Sequence, residues 1–238
     1  MNYSDETVEK IIQTFDTLVN FCGMVTLDDA YAQFKEWFPE ATEVDMAEDM
    51  WDDAIVASRS MEVDFRPWQD SRHEYAIHEM LYFDLYHTED GDEVDEDEYG
   101  QPVVSPQVDG FLHALADCHD MAGRQPLDRK MMELGYTRWG LSLPEALELM
   151  EWLAERLESD YAAEDALSMV AMLITGHQNM DDASRLVYTL HALGLPEEFL
   201  GSPDLLDRMM QLFNALPSWK NNGLSAAEMY AKNQGLQA

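Results

Sequence analysis

DYAAEDALSMVAMLIT, residues 160–175, is the stretch that decides the fold. Beyond its acidic first turn it is apolar nearly all round, the pattern of a central, buried helix. Its neighbours repeat the helical signature. On the N-terminal side, Ser142-Leu143-Pro144-Glu145 reads as a full capping box. That box leads Leu143, Leu147, Met150, Leu153 and Leu157 along one face. On the C-terminal side, further helices fit 181–193, 203–215 and 226–234, the last capped by Ser225 with Glu228. Gly194, Pro196, Pro203, Pro217 and Gly223 punctuate them. The short connections predict antiparallel neighbours.

The N-terminal third is also helical in pattern. Val8, Ile11, Ile12, Phe15, Leu18, Val19 and Cys22 recur at three- and four-residue steps, predicting a helix over 5–21 capped by Ser4 and stopped by Gly23. A second helix is expected from Leu27 to Trp37, with Thr26 and Asp29 in capping positions and Pro39 beyond its end. A third is expected from Glu43 to Ser60, with Thr42 as cap. Residues 61–72 have little helical period and admit a short strand. Residues 73–87, rich in Tyr and His, read as another helix. Ser105-Pro106 opens one more, to Met121.

The fold class expected is therefore mostly α, a multi-helix bundle with a long acidic loop and a small strand element near 61–72. The loop is residues 89–104. Eight of the ten residues 89–98 are acidic, and like charges this dense repel one another. The expected organisation is an acidic N-terminal helical region, 1–88, the loop 89–104, and a C-terminal bundle, 105–238, continuous with the first region or separate from it.

Charge narrows the function. The 238 residues hold 14 Lys and Arg against 48 Asp and Glu, a formal net charge of -34. Residues 1–100 carry 28 acids and 5 bases, a net of -23. Such a surface excludes general binding to nucleic-acid phosphates and argues against an anionic membrane. The chain contains no apolar run long enough for a membrane span. The N-terminus, MNYSDETVEK, lacks the pattern of a secretory signal. Two cysteines, Cys22 and Cys118, make neither a disulfide scaffold nor a Cys-rich zinc site, so a reducing cytoplasm is the expected location.

Motifs for catalysis are sparse. Asp95-x-Asp97-x-Tyr99-Gly100 starts like an EF-hand loop, but its twelfth position is Pro106 instead of the bidentate Glu. His73 and His78 are five apart, one too many for a zinc helix. Glu74 with His78, and Asp84 with His87, are the best-placed metal ligands. They define an alternative reading as a metal-binding helical protein or enzyme. Cys118 and His119 are adjacent and diverge by about 100° on a helix, poorly placed for a catalytic pair. No phosphate loop, nucleophile elbow or dinucleotide fingerprint is present. No cofactor and no catalytic residue is expected.

The acid stripe Asp45, Glu48, Asp49, Asp52 and Asp53 carries more information. Like charges three and four apart destabilise a helix by a few tenths of a kcal/mol per pair, about 0.2–0.5. With Asp92, Glu93, Asp95, Glu96, Asp97 and Glu98 they form the expected partner-binding set. The partner is a basic protein surface, in the sharpest form that of a nucleic-acid-binding protein whose site the acids occupy. Averaged over about 11,000 Å² of surface, the charge is one per about 320 Å². Duplex DNA carries one per about 107 Å², so mimicry requires the charge to be concentrated in the N-terminal half. The remaining alternative is a helical adaptor whose acidity is typical of its host.

Two segments carry a resemblance. LPSWKNNGLSAAEM, residues 216–229, and GMVTLDDA, residues 23–30, resemble the W-x3-G-x-[ST]-x2-E and G-x-V-T-L-x-E-L segments of loosely grouped bacterial helical proteins. Some of those proteins carry an SEC-C zinc tail, and this chain ends without one. The resemblance covers about a tenth of the chain. It implies a helical bacterial protein and carries no catalytic residue over.

Overall fold

The computed structural model describes residues 3–44, 49, 50, 52, 61–65, 75–78, 127–178, 183–221 and 223–234. It is mostly helical with one small antiparallel sheet. The chain divides into two units, Met1–Met132 and Glu133–Ala238. The expected loop 89–104 and the helix expected over 105–121 lie outside the described residues.

The N-terminal unit begins with α1, Asp5–Cys22. The Ser4 side chain accepts the Thr7 N–H, and Gly23 ends the helix at φ 74°. That left-handed conformation suits glycine, since a Cβ would be strained there. β1, Met24–Thr26, follows directly. The Thr26 hydroxyl then accepts the Asp29 N–H and opens α2, Leu27–Trp37. Ile11, Phe15, Leu18 and Val19 of α1 are fully buried, as are Met24, Val25 and Phe34. Each such side chain contributes about 1.5–3 kcal/mol relative to exposure.

The sheet corrects the helix expected over 73–87 at residues 75–78, the rest of that span lying outside the described residues. β2, Met61–Phe65, falls where a short strand was expected. Tyr75–His78, however, is β3, the middle strand of the order β1-β3-β2, antiparallel to both neighbours. Tyr75, Ala76 and Ile77 are all buried. A middle strand covered on both faces shows no alternation, so its short apolar run was indistinguishable from a helix turn. β1 falls between the expected stop at Gly23 and the expected cap at Thr26, where no strand was expected. Its three residues are all buried, and His78 N–H donates to the Gly23 carbonyl to extend the pairing.

The third helix also starts later than Glu43. Residues 41–44 are turn and coil, and helical geometry is present at 49, 50 and 52. The reason lies in Lys35, whose ammonium donates to the carbonyls of Ala41 and Val44, while the Tyr31 hydroxyl donates to Val44 as well. Carbonyls engaged from α2 hold that stretch in a turn.

The C-terminal unit is a helical bundle. After α3 (Arg129–Leu134), which spans the division, it holds α4 (Tyr136–Leu141), α5 (Pro144–Ala154), α6 (Ala162–Gln178), α7 (Ala183–Ala192), α8 (Pro203–Ala215) and α9 (Ala226–Asn233). α6 packs against α4, α5 and α7, and α8 packs against α5 and α9. The apolar run within 160–175 is therefore central, but it is not buried all round. Ala166, Met169, Val170, Leu173 and Ile174 face the core, while Leu167 and Met172 are each 45% exposed.

The capping box at 142–145 does not form. Ser142 ends α4, its hydroxyl donating to the Trp139 carbonyl, and Leu143 is the cap of α5 with Pro144 in the first turn. The buried face of α5 is Ala146, Leu149, Trp152 and Leu153, and Leu147 points outward. The second box does form. The Ser225 side chain accepts the Glu228 N–H, and the Glu228 carboxylate accepts the Ser225 N–H at 2.7 Å. Trp219, in a single 3-10 turn at Trp219–Asn221, is buried and anchors the loop before α9.

Candidate functional site

The acids of the N-terminal unit begin on α1. Its apolar stripe faces the core, so Asp5, Glu6 and Glu9 project outward. Asp5 and Glu6 also sit in the first helical turn, where the helix dipole favours negative charge. Asp28, Glu36, Glu40 and Glu43 are exposed along α2 and the turn that follows it. None of the acids of α1, α2 and the turn that follows is buried.

Side-chain bonds draw several of them together. Thr7 Oγ1 donates to Glu43 Oε1 at 2.7 Å, and Tyr3 hydroxyl donates to Asp49 Oδ2 at 3.0 Å. Lys10 Nζ bridges Glu6 at 3.0 Å and Glu40 at 3.3 Å. The start of α1, the turn at 40–44 and the helical residues near 49 thus share one acidic surface. Glu43 is held below the usual carboxylate range by a backbone hydrogen bond and then by Thr7. Glu40 is lowered by a backbone bond and then, among favourable partners, by Lys10. The Glu6 hydrogen bond raises Lys10 in turn. Both carboxylates are ionised at neutral pH.

The expected stripe is only partly placed. Asp49 and Asp52 lie on helical backbone. Asp52 is exposed, and Asp49 is half-buried under Tyr3. Asp45, Glu48 and Asp53 lie outside the described residues, as do Asp92, Glu93, Asp95, Glu96, Asp97 and Glu98. The exposed acids of α1, and Glu36, Glu40 and Glu43, were not in the predicted set. For the acids of α1 and for Glu36 the signal was present, because they occupy the face of each helix left over by the apolar period, whereas Glu40 and Glu43 stand in the turn after α2.

The metal reading loses its local premise. His78 lies on β3, not on a helix, with its Nε2 3.2 Å from Asn20 Oδ1. Burial pushes its imidazole down from the usual 6.5 to about 4, so it is neutral near pH 7. Glu74, Asp84 and His87 lie outside the described residues. Among the described residues no three His, Cys, Asp or Glu side chains are placed to hold a metal ion. No described helix is long and apolar enough to cross a membrane.

The C-terminal unit differs in character. The described large apolar side chains that stand exposed are all there, among them Leu147, Tyr161, Tyr188, Met210 and Tyr230. A shallow hollow of about 310 Å³ lies among Glu145, Gln211, Asn214, Ala215 and Ala227. Its lining offers one carboxylate and two amides.

Comparison with known proteins finds no match. No family model, no curated protein and no solved structure matches this chain.

Proposed function

We propose that this protein is a non-enzymatic acidic interaction protein whose N-terminal half engages a basic surface of a partner. The observation that carries the reading is the exposure of Asp5, Glu6, Glu9, Asp28, Glu36, Glu40, Glu43 and Asp52, within a segment of net charge -23. Carboxylates tied to each other's neighbourhood by Thr7, Tyr3 and Lys10 present charge in a fixed place. A fixed anionic surface meets Lys and Arg with less ordering cost than scattered charges do. It also speeds encounter with a basic partner, in a way that salt weakens. In its sharp form the reading makes the protein an occupant of the nucleic-acid site of a DNA- or RNA-handling protein.

The test is capture of partners from host lysate at about 0.05 M and about 0.5 M salt, where charges are screened within about 14 Å and about 4 Å. The reading predicts basic proteins retained at low salt only, displaced by added duplex DNA. It also predicts loss of that capture when Asp45, Asp49, Asp52 and Asp53 are changed to Asn. Capture unaffected by these changes would remove the stripe from the interface.

A further inference from the structure

We propose that the hollow between the first turn of α5, the last turns of α8 and the start of α9 binds the guanidinium group of an arginine, free or borne on a peptide. The inference stands apart from the basic-partner reading, which concerns the N-terminal acids. The hollow measures about 310 Å³, at the lower end of the size range of ligand sites. Glu145 of α5, Gln211, Asn214 and Ala215 of α8, and Ala227 of α9 line it.

Acceptors converge there without a cation to answer them. The side chains of Glu145 and Asn214 make no hydrogen bond or ion pair among the described residues, although Glu145 is half-buried. Gln211 Nε2 donates to Asp207 Oδ2 at 2.8 Å. A carboxylate only accepts, so the amide nitrogen must face Asp207, and Gln211 Oε1 is left as an acceptor. Asp207 adds a second negative charge one turn from Gln211. Glu145 sits in the first turn of α5, where the helix dipole favours an anion. α5 contains no Lys or Arg. Arg208, the one cation of α8, pairs with Asp204 at 3.2 Å. Lys232 of α9 is five positions past Ala227 and turned off its stripe.

A guanidinium meets this lining better than other small groups. It carries five N–H donors in one rigid plane, which a carboxylate and two amide oxygens can share, whereas an ammonium is a compact point charge. An anion would meet Glu145 and Asp207 as like charges. The methyl groups of Ala215 and Ala227 offer an apolar wall for the aliphatic stem. Met210 and Tyr230, 55% and 67% exposed, stand one turn from Asn214 and Ala227 on the same helix faces. They supply a thioether and an aromatic ring beyond the hollow for what the stem is attached to.

NMR titration of the full-length protein tests this, read at the side-chain amides of Gln211 and Asn214. Nα-acetyl-arginine amide and free arginine are the probes for the two sources. Saturable shifts are expected with at least one, and the tighter of the two names the source. Nα-acetyl-lysine amide should bind about threefold more weakly, or worse. Glu145→Gln should weaken the arginine probe by about tenfold or more, because it removes the charge-assisted bonds. Glu148→Gln removes the same charge from an exposed position off the lining, and should leave affinity within about twofold. That pair separates a site from the general attraction of a cation to a chain of net charge -34. Equal effects of the two substitutions overturn the proposal, as does equal binding of the lysine compound. Absence of saturable shifts in the wild-type protein overturns it without any variant. Inorganic phosphate shifting these amides when the arginine probes do not would overturn it too.

Discussion

Lowering the pH from about 7.5 to about 5 should cost the N-terminal unit about 2 kcal/mol through His78 alone. The side chain sits on the middle strand against Asn20, and burial lowers its pKa from 6.5 to about 4. A folded pKa below the unfolded one means that the unfolded chain takes up the proton first. Stability is therefore complete above about pH 6.5, declines as pH falls towards 4, and levels below it after a loss of about 3 kcal/mol. Glu40 and Glu43 are held low, so their contribution is lost only below the usual carboxylate value of 4.5. Relief of like-charge repulsion acts in the opposite direction as carboxylates protonate. The His78→Gln variant separates these effects, since it keeps an amide donor for Asn20 Oδ1 and has no proton to gain. Urea unfolding at the two pH values, read by exchange of the α1 amides, should show the variant losing about 2 kcal/mol less than wild type. Identical losses in the two proteins would refute the burial argument.

Other consequences can be measured directly. Gly140→Ala should destabilise the C-terminal unit by about 1 kcal/mol, because a Cβ there would meet Ile174 Cδ1 at 3.0 Å and Leu216 Cδ2 at 3.2 Å. Overpacking of about 1–3 kcal/mol outweighs a helix-propensity gain of about 1. Adding Ile174→Val should recover part of the loss in chemical denaturation, whereas a net gain from Gly140→Ala alone would show the contact to be loose. Ser225→Ala should cost about 1–2 kcal/mol by breaking the capping box of α9, seen as faster amide exchange in that helix. Trp37→Phe should cost about 1–3 kcal/mol, because it leaves the Leu127 carbonyl buried without its indole donor. A urea midpoint unchanged by Trp37→Phe would deny that hydrogen bond any energetic role.

Much of the helical architecture was legible because its signals are local. The bounds of α1, α2, α8 and α9 follow from apolar period, Ser or Thr caps and Gly or Pro stops within the same dozen residues. What escaped depends on distant partners. Tyr75–His78 is a strand because β1 and β2 flank it, and its own four residues contain no alternation to announce that. Ser142 has the composition of a cap but is already occupied ending α4, which itself was hidden in a stretch with two glycines. The apolar circumference of α6 promised full burial, yet Leu167 and Met172 stand outside its contacts with the described neighbours α4, α5 and α7. The site shows the same division. That the N-terminal half is acidic was plain from composition, and Asp49 and Asp52 keep their helical spacing. The bonds that gather Glu40, Glu43 and Asp49 come from Lys10, Thr7 and Tyr3, whose reach across 30 to 46 residues no local pattern encodes. The bonds of Gln33 and Trp37 to the Leu127 backbone were invisible for the same reason.

The central claim is that the N-terminal acids are a binding surface for a basic partner. The most direct measurement is the salt dependence of capture, comparing wild type with the chain in which Asp45, Asp49, Asp52 and Asp53 are Asn. The account predicts a basic nucleic-acid-handling protein held at about 0.05 M salt, released at about 0.5 M, and not held by the variant. The same partners retained at both salts, or retained equally by the variant, would contradict it.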